Sequence, residues 1–281
     1  MNPVFTLIPS HLATQVISIV IMVVAPFVAG FVARRRLGTP WRVFWMGALV
    51  FVVSQMLLRI PIVSALQIFF ATQITAGSLA VTLGVGAALA LTAAMFETAG
   101  RYAGYRWLLR RDPKQWSTGV MYGLGHGGIE SALLIAGVSI VQLVTLMTMT
   151  EAALAALPPV QAQALTALAS AINDNPAWMG LAGGYERIVS LAIHVALSLL
   201  VLEAYVRRQW RWVALALAAH FAVDFVTPVL IPALLPVGVS RQIVQYLALT
   251  GFGILAIWIS VALRRQTPTT QSTPATQRIP A

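Results

Sequence analysis

Apolar residues run almost unbroken for long stretches of this chain, and polar residues gather in short groups between them. Segments such as Leu12 to Ala33 and Ile188 to Tyr205 are long enough to cross a hydrocarbon layer of roughly 30 Å as helices. Neither the two-residue alternation of a half-buried strand nor the amphipathic stripe of a soluble helix is needed to explain them. The pattern predicts an all-α polytopic transmembrane helix bundle. Its seven spans fall at about 11–33, 41–63, 77–109, 117–149, 186–206, 212–235 and 241–263. The intervening 150–185 holds Pro158-Pro159, the polar run Asn173-Asp174-Asn175-Pro176 and Gly183-Gly184. It reads as an external segment with a surface-lying helix over 160–172. An eighth span there would break the alternation of charge described next. The single membrane domain is expected to occupy 1–265. The Thr-, Pro- and Gln-rich stretch 266–281 reads as a disordered cytoplasmic tail.

Charge sets the expected orientation. The chain of 281 residues is 59% hydrophobic and only 9% charged, with a formal net charge of +10. The excess does not read as a nucleic-acid surface, because the basic residues cluster at the ends of apolar runs. The groups are Arg34-Arg35-Arg36, Arg110-Arg111 with Lys114, Arg207-Arg208 with Arg211, and Arg264-Arg265. Assigning these to the cytoplasmic side puts the N-terminus outside and the C-terminus inside. Arg59, Arg187 and Arg241 are then expected near the outer surface. No basic n-region precedes the first apolar run, which therefore reads as a retained helix. The chain has no cysteine, which removes disulfides, thiolate metal sites and cysteine nucleophiles. A multi-pass integral membrane protein is expected, with membrane lipids as partners and no nucleic acid.

Ionisable side chains inside a membrane are costly and mark function. Seven lie well within the predicted spans: Glu97, Arg101, His126, Glu130, His194, His220 and Asp224. Six form pairs spaced i, i+4, namely Glu97/Arg101, His126/Glu130 and His220/Asp224, a spacing that puts both members on one helix face. At 1.5 Å of rise per residue, Arg101, His126 and His220 lie roughly 14 to 18 Å from the nearest basic cluster, and the other four about 20 Å. Four helices thus present ionisable groups in one slab, as a shared site between the third, fourth, fifth and sixth spans requires. Taken singly, each pair also reads as a structural ion pair or an interhelical clamp. Gly123, Gly125, Gly127 and Gly128 strip the His126 helix of side-chain bulk, which permits close helix approach or leaves room beside His126 for water or a substrate backbone. Ser54-Gln55 is a weaker cavity-lining candidate.

The residue types suit hydrolysis. A buried glutamate can act as general base toward water, and histidines can hold the water, donate to an oxyanion or bind a metal. No HExxH or GxGD stretch occurs, and no serine is paired with a lysine or histidine in a recognisable motif. Buried Glu, Asp, His and Arg also build the proton relays of membrane transporters, which keeps a proton-coupled transporter open as a reading, as does a catalytically silent scaffold. Neither repeat symmetry nor paired broken helices is visible for a transporter.

In order along the chain, "FETAGRY" (residues 96–102), "GLGHGGIE" (123–130), the lone His194 and "HFAVD" (220–224) resemble the YhfC family of intramembrane proteases, related to the CAAX-processing (CPBP) membrane proteases. The resemblance covers about 90–230. It implies a glutamate-dependent membrane endopeptidase in which Glu97 activates water with His126 as its partner. Arg101 holds Glu97 or the substrate, His220 and His194 stabilise the oxyanion, and Glu130 and Asp224 orient the histidines. Two departures stand out. Glu97 is flanked by Phe96 and Thr98 where CAAX-processing relatives often carry two adjacent glutamates, and the last motif ends in Asp224 rather than asparagine. The resemblance implies a peptide or membrane-protein substrate and a place in a bacterial cytoplasmic membrane, and it favours a mechanism with no cofactor. The alternative is a zinc-dependent version of the same protease with His126, His194 and His220 as ligands.

Overall fold

The structure is a computed structural model and describes residues 3–69 and 77–266; the predicted tail beyond 266 lies outside the described residues. Among the described residues, seven helices are long and apolar enough to cross a membrane: Pro9–Leu37, Trp41–Phe69, Leu79–Leu108, Trp116–Thr148, Ala177–Arg207, Arg211–Leu234 and Val239–Arg265. They are referred to below as the first to seventh spans. No strand occurs among the described residues. The segment before the fifth span forms a short helix, Glu151–Ala155, and a longer one, Pro159–Asp174; neither has the length of a span. The fifth span begins nine residues earlier than expected, because a 3₁₀ turn over Ala177–Leu181 runs straight into the helix Ala182–Arg207. Gly183 and Gly184 at that entry lie against Met22, Ser18 and Ile21 of the first span, so the glycines that suggested a loop serve helix packing instead.

Local chemistry explains where helices begin and end. The first span stops at Gly38, whose left-handed backbone (φ 70°) lets its N–H reach Arg34 O at 3.0 Å, a glycine terminus that a side chain would strain. Ser78 opens the third span by accepting a bond from Val81 N. Four spans contain a π-helical stretch, at Val52–Arg59, Gly104–Leu108, Glu130–Ile135 and Val226–Leu230. Such widened turns re-aim the side chains that follow them.

The basic clusters collect at one end of the bundle. There Arg42 pairs with Asp112, Lys114 lies over the Tyr205 ring, and Arg264 lies 5.1 Å from the centroid of Trp116. At the other end the chain start meets the segment between the fourth and fifth spans: Val4 N donates to Met149 O, and Asn173 bonds both Ile8 N and Thr6 O. The fifth span is the axis of the bundle. Two-thirds (67%) of its most apolar window is buried, against 28% or less in the other six. The fourth span packs beside it through its glycines: a Cβ at Gly123 would lie 2.6 Å from Val195 Cα, and one at Gly125 would strike the Phe44 backbone of the second span. The largest core cluster, including Phe44, Tyr105, Leu109, Tyr122 and Leu199 to Leu202, fills the half of the bundle nearer the basic end.

Candidate active site

Glu97 of the third span is the centre of the site. Its carboxylate is buried, and its Oε2 lies 3.0 Å from Arg101 Nη2, 3.0 Å from His126 Nε2, 3.7 Å from His220 Nε2 and 3.9 Å from His194 Nδ1. Its other oxygen accepts a hydrogen bond from Gln55 Nε2. Five spans therefore converge on one carboxylate. A charge removed from water this completely needs opposite charge and donors on both oxygens, and Arg101, fully buried one helical turn away, supplies the compensating cation.

The i, i+4 spacing succeeds for two of the three predicted pairs. Arg101 reaches Glu97 as described, and His220 Nε2 lies 3.3 Å from Asp224 Oδ2. The third pairing is corrected. His126 bonds Glu97 across the helix interface, while Glu130 turns to the fifth span, with Oε2 2.9 Å from His194 Nε2 and Oε1 accepting from Arg187 Nη1 at 2.9 Å. The backbone is not the cause, since Glu130 N–H still bonds His126 O in the ordinary helical register; the two side chains leave the same turn for different partners, His126 for the buried Glu97 and the longer Glu130 for His194 and Arg187. Arg187, expected near the outer surface, is thereby drawn into the site.

His194 is held from both sides. A guanidinium has no acceptor, so the 2.7 Å contact between Arg101 Nη2 and His194 Nδ1 is a bond donated to Nδ1. The proton of His194 then sits on Nε2 and points at Glu130. His126 and His220 each direct Nε2 toward Glu97, and the Nδ1 of each is buried with no hydrogen-bond partner.

Sequence reasoning gave Gln55 little weight and placed Arg59 near the outer surface, apart from the site. The π-helical turn Val52–Arg59 carries both. Arg59 donates to Gln55 Oε1 at 3.3 Å, to Leu89 O at 2.7 Å and to Thr92 Oγ1 at 3.3 Å. Two adjacent polar residues and an arginine four positions beyond the second, inside an apolar run, were the available signal. The expected open space beside His126 is also corrected. Gly127 faces the His194 ring, Gly128 faces Pro26, and Gly123 and Gly125 face neighbouring backbone. Close packing has taken the room the missing side chains left.

A cavity of about 200 Å³ adjoins the cluster, lined by Glu97, Glu130, His194, His220 and Asp224 among others. With about 30 Å³ per water, it has room for several water molecules. Arg101 and His126 do not line it; they back Glu97 from the closed side.

The residues able to hold a metal differ from the three histidines expected. Among the described residues, Glu97, His126 and His194 offer ligand atoms within 4.8 Å of one another, and His220 is not part of that group. One carboxylate oxygen and two imidazole nitrogens fit zinc in kind and spacing. Arg101 competes for the same lone pairs, because its Nη2 already touches two of the three donors, Glu97 Oε2 and His194 Nδ1.

Comparison with known proteins gives a consistent picture. The sequence model of the family described as "YhfC intramembrane metalloprotease" matches residues 19–247. The chain is 32% identical over 192 residues to "Uncharacterized membrane protein YhfC" of Bacillus subtilis (strain 168), a match covering 66% of this chain and 72% of that protein. No solved structure matches. The family's description names a metal-dependent protease, which gives no support to the metal-free preference drawn from the motifs. With most of its length matched and seven apolar helices in place, this multi-pass membrane protein belongs to the YhfC intramembrane metalloprotease family.

Proposed function

We propose that the protein is an intramembrane endopeptidase in which Glu97 is the general base. The observation that carries this reading is the meeting of one buried carboxylate with histidines from three other spans beside a cavity of about 200 Å³. Glu97 Oε2 takes a proton from a cavity water, and the water oxygen forms a bond to the scissile carbonyl carbon. The developing oxyanion accepts a hydrogen bond from His220, whose Nε2 faces the cavity between Glu97 and Asp224. Glu97 then returns the proton to the leaving amine as the C–N bond breaks, so water and one peptide give a carboxylic acid and an amine, which exchange a proton once free in water. His126 and Arg101 position Glu97. His194, with both ring nitrogens committed, aligns Arg101 with Glu130 rather than serving as an oxyanion donor.

A second reading is favoured by the Glu97/His126/His194 group and by the family's description. A zinc ion held by these three residues would supply Lewis-acid polarisation of the scissile carbonyl. One experiment separates both readings from no proteolysis. Purified protein in proteoliposomes is given a panel of single-span reporter polypeptides, before and after chelation, with elemental analysis of the protein. Cleavage that survives chelation in zinc-free protein and is lost in Glu97→Gln supports the glutamate mechanism. Stoichiometric zinc with chelator-sensitive cleavage supports the second. Undiminished cleavage by Glu97→Gln removes Glu97 as base.

A further inference from the structure

We infer that water and substrate reach Glu97 from the end of the bundle opposite the basic clusters, which the positive-inside rule makes the extracytoplasmic face, and that the substrate is polypeptide presented there in extended form. The inference rests on the proteolytic reading for its substrate and on geometry alone for its path.

The cavity runs in one direction. On the fifth span, whose basic end is Arg207, the lining starts at Leu197, about one turn on the basic side of His194, and extends past His194 through Ser190 and Arg187 to Glu186, eight residues or ~12 Å beyond His194. On the sixth span, whose basic end is Arg211, the lining continues beyond His220 and Asp224 to Thr227 and Pro228. The seventh span contributes Gln245 and Tyr246, near its start and far from Arg264. Side-chain exposure rises along the same path, from 4% at Glu97 and 6% at His194 to 16% at Glu130, 17% at Arg187, 34% at Asp224 and 39% at Glu186. Toward the basic end the site is closed. Arg101, Tyr105 and Tyr122 are fully buried, and Leu199 to Leu202 are at most 2% exposed. Tyr105 seals the layer further, donating to Ser198 O at 3.0 Å and packing on Tyr122 with ring centroids 4.6 Å apart.

Size limits what can enter. A helix with its side chains is about 10–12 Å across, and 200 Å³ holds less than a single turn of such a cylinder. An extended stretch of one or two residues fits, with water beside it. The scissile bond therefore belongs to a segment already unwound, or unwinding, within ~12 Å of the mouth.

The absence of cysteine makes the test clean. Single-cysteine variants of the full chain, Ser190→Cys and Gln245→Cys in the path, Ser198→Cys in the seal and Gln209→Cys in the exposed turn at the basic end, are treated with a small charged methanethiosulfonate in spheroplasts and in inverted vesicles. Ser190→Cys and Gln245→Cys are expected to react at least tenfold faster in spheroplasts, Gln209→Cys at least tenfold faster in inverted vesicles, and Ser198→Cys in neither. Reaction of the path cysteines from the same face as Gln209→Cys, reaction of none of them from either face, or modification of Ser198→Cys from the basic end overturns the path. Gln209→Cys reacting in spheroplasts overturns the assigned side. Labelling needs no turnover. Correct labelling with no reporter cleaved therefore overturns the proteolytic reading and its substrate while keeping the path; Glu97-dependent cleavage with the wrong labelling does the reverse.

Discussion

Adding one methyl group at Gly127 tests whether the glycines of the fourth span exist to seat His194. An alanine Cβ there would lie 2.7 Å from His194 Cδ2 and Cγ and 2.8 Å from its Cβ. Carbon atoms pack at about 3.5–4.0 Å, so the ring or the helix must withdraw by roughly 1 Å. The ring has little freedom to do so. It is tied at 2.7 Å to Arg101 and at 2.9 Å to Glu130, and a shift of that size takes both contacts beyond hydrogen-bonding distance. Overpacking of this kind costs about 1–3 kcal/mol of stability, and a 1 Å displacement of a catalytic array lowers turnover by about 100-fold. Gly137→Ala is the control, because nothing lies within 4 Å of the Cβ it would introduce; in a helix it should be neutral or stabilising by up to about 1 kcal/mol. Thermal unfolding in nanodiscs and cleavage of a reporter are measured on both variants. If Gly127→Ala keeps wild-type melting temperature and turnover, or if Gly137→Ala loses as much, the close-packing explanation of the glycines is wrong.

Gln55→Leu removes the donor to Glu97 Oε1; a hydrogen bond to a charged group is worth about 1.5–3 kcal/mol, so turnover should fall about 10- to 100-fold with KM little changed, read from initial rates. Arg101→Met leaves the Glu97 carboxylate without its cation and should destabilise the protein by about 3–5 kcal/mol, seen as a large drop in melting temperature; Arg101→Lys should recover part of that loss, because it keeps a cation and both contacts to Glu97 and His194 come from the one nitrogen Nη2. Arg187→Gln breaks the pair with Glu130, which is 16–17% exposed on each side, and should cost less than about 2 kcal/mol in stability, checked in the same melting assay. If zinc is held by Glu97, His126 and His194, His220→Ala should retain full metal content by elemental analysis, whereas His126→Ala should lose it.

The sequence by itself determined the seven apolar helices, the gathering of basic residues at helix ends and the seven intramembrane ionisable residues. Each follows from short-range physics: the length needed to cross hydrocarbon, the energy of a charge in it and the 3.6-residue repeat. Within one helix the repeat also paired Glu97 with Arg101 and His220 with Asp224. The tertiary structure decided which helices face one another and at what rotation, because that depends on backbone approach at glycines and on where a helix widens. His126 turned to Glu97 and Glu130 to His194 and Arg187 because those partners sit on other spans, which no periodic pattern within one helix anticipates. Gln55 and Arg59 entered the site through contacts of the second span with the third, which the pattern along one helix does not contain. The direction in which the cavity opens came last, since it depends on how tyrosines and leucines from separate spans close one end and leave the other accessible.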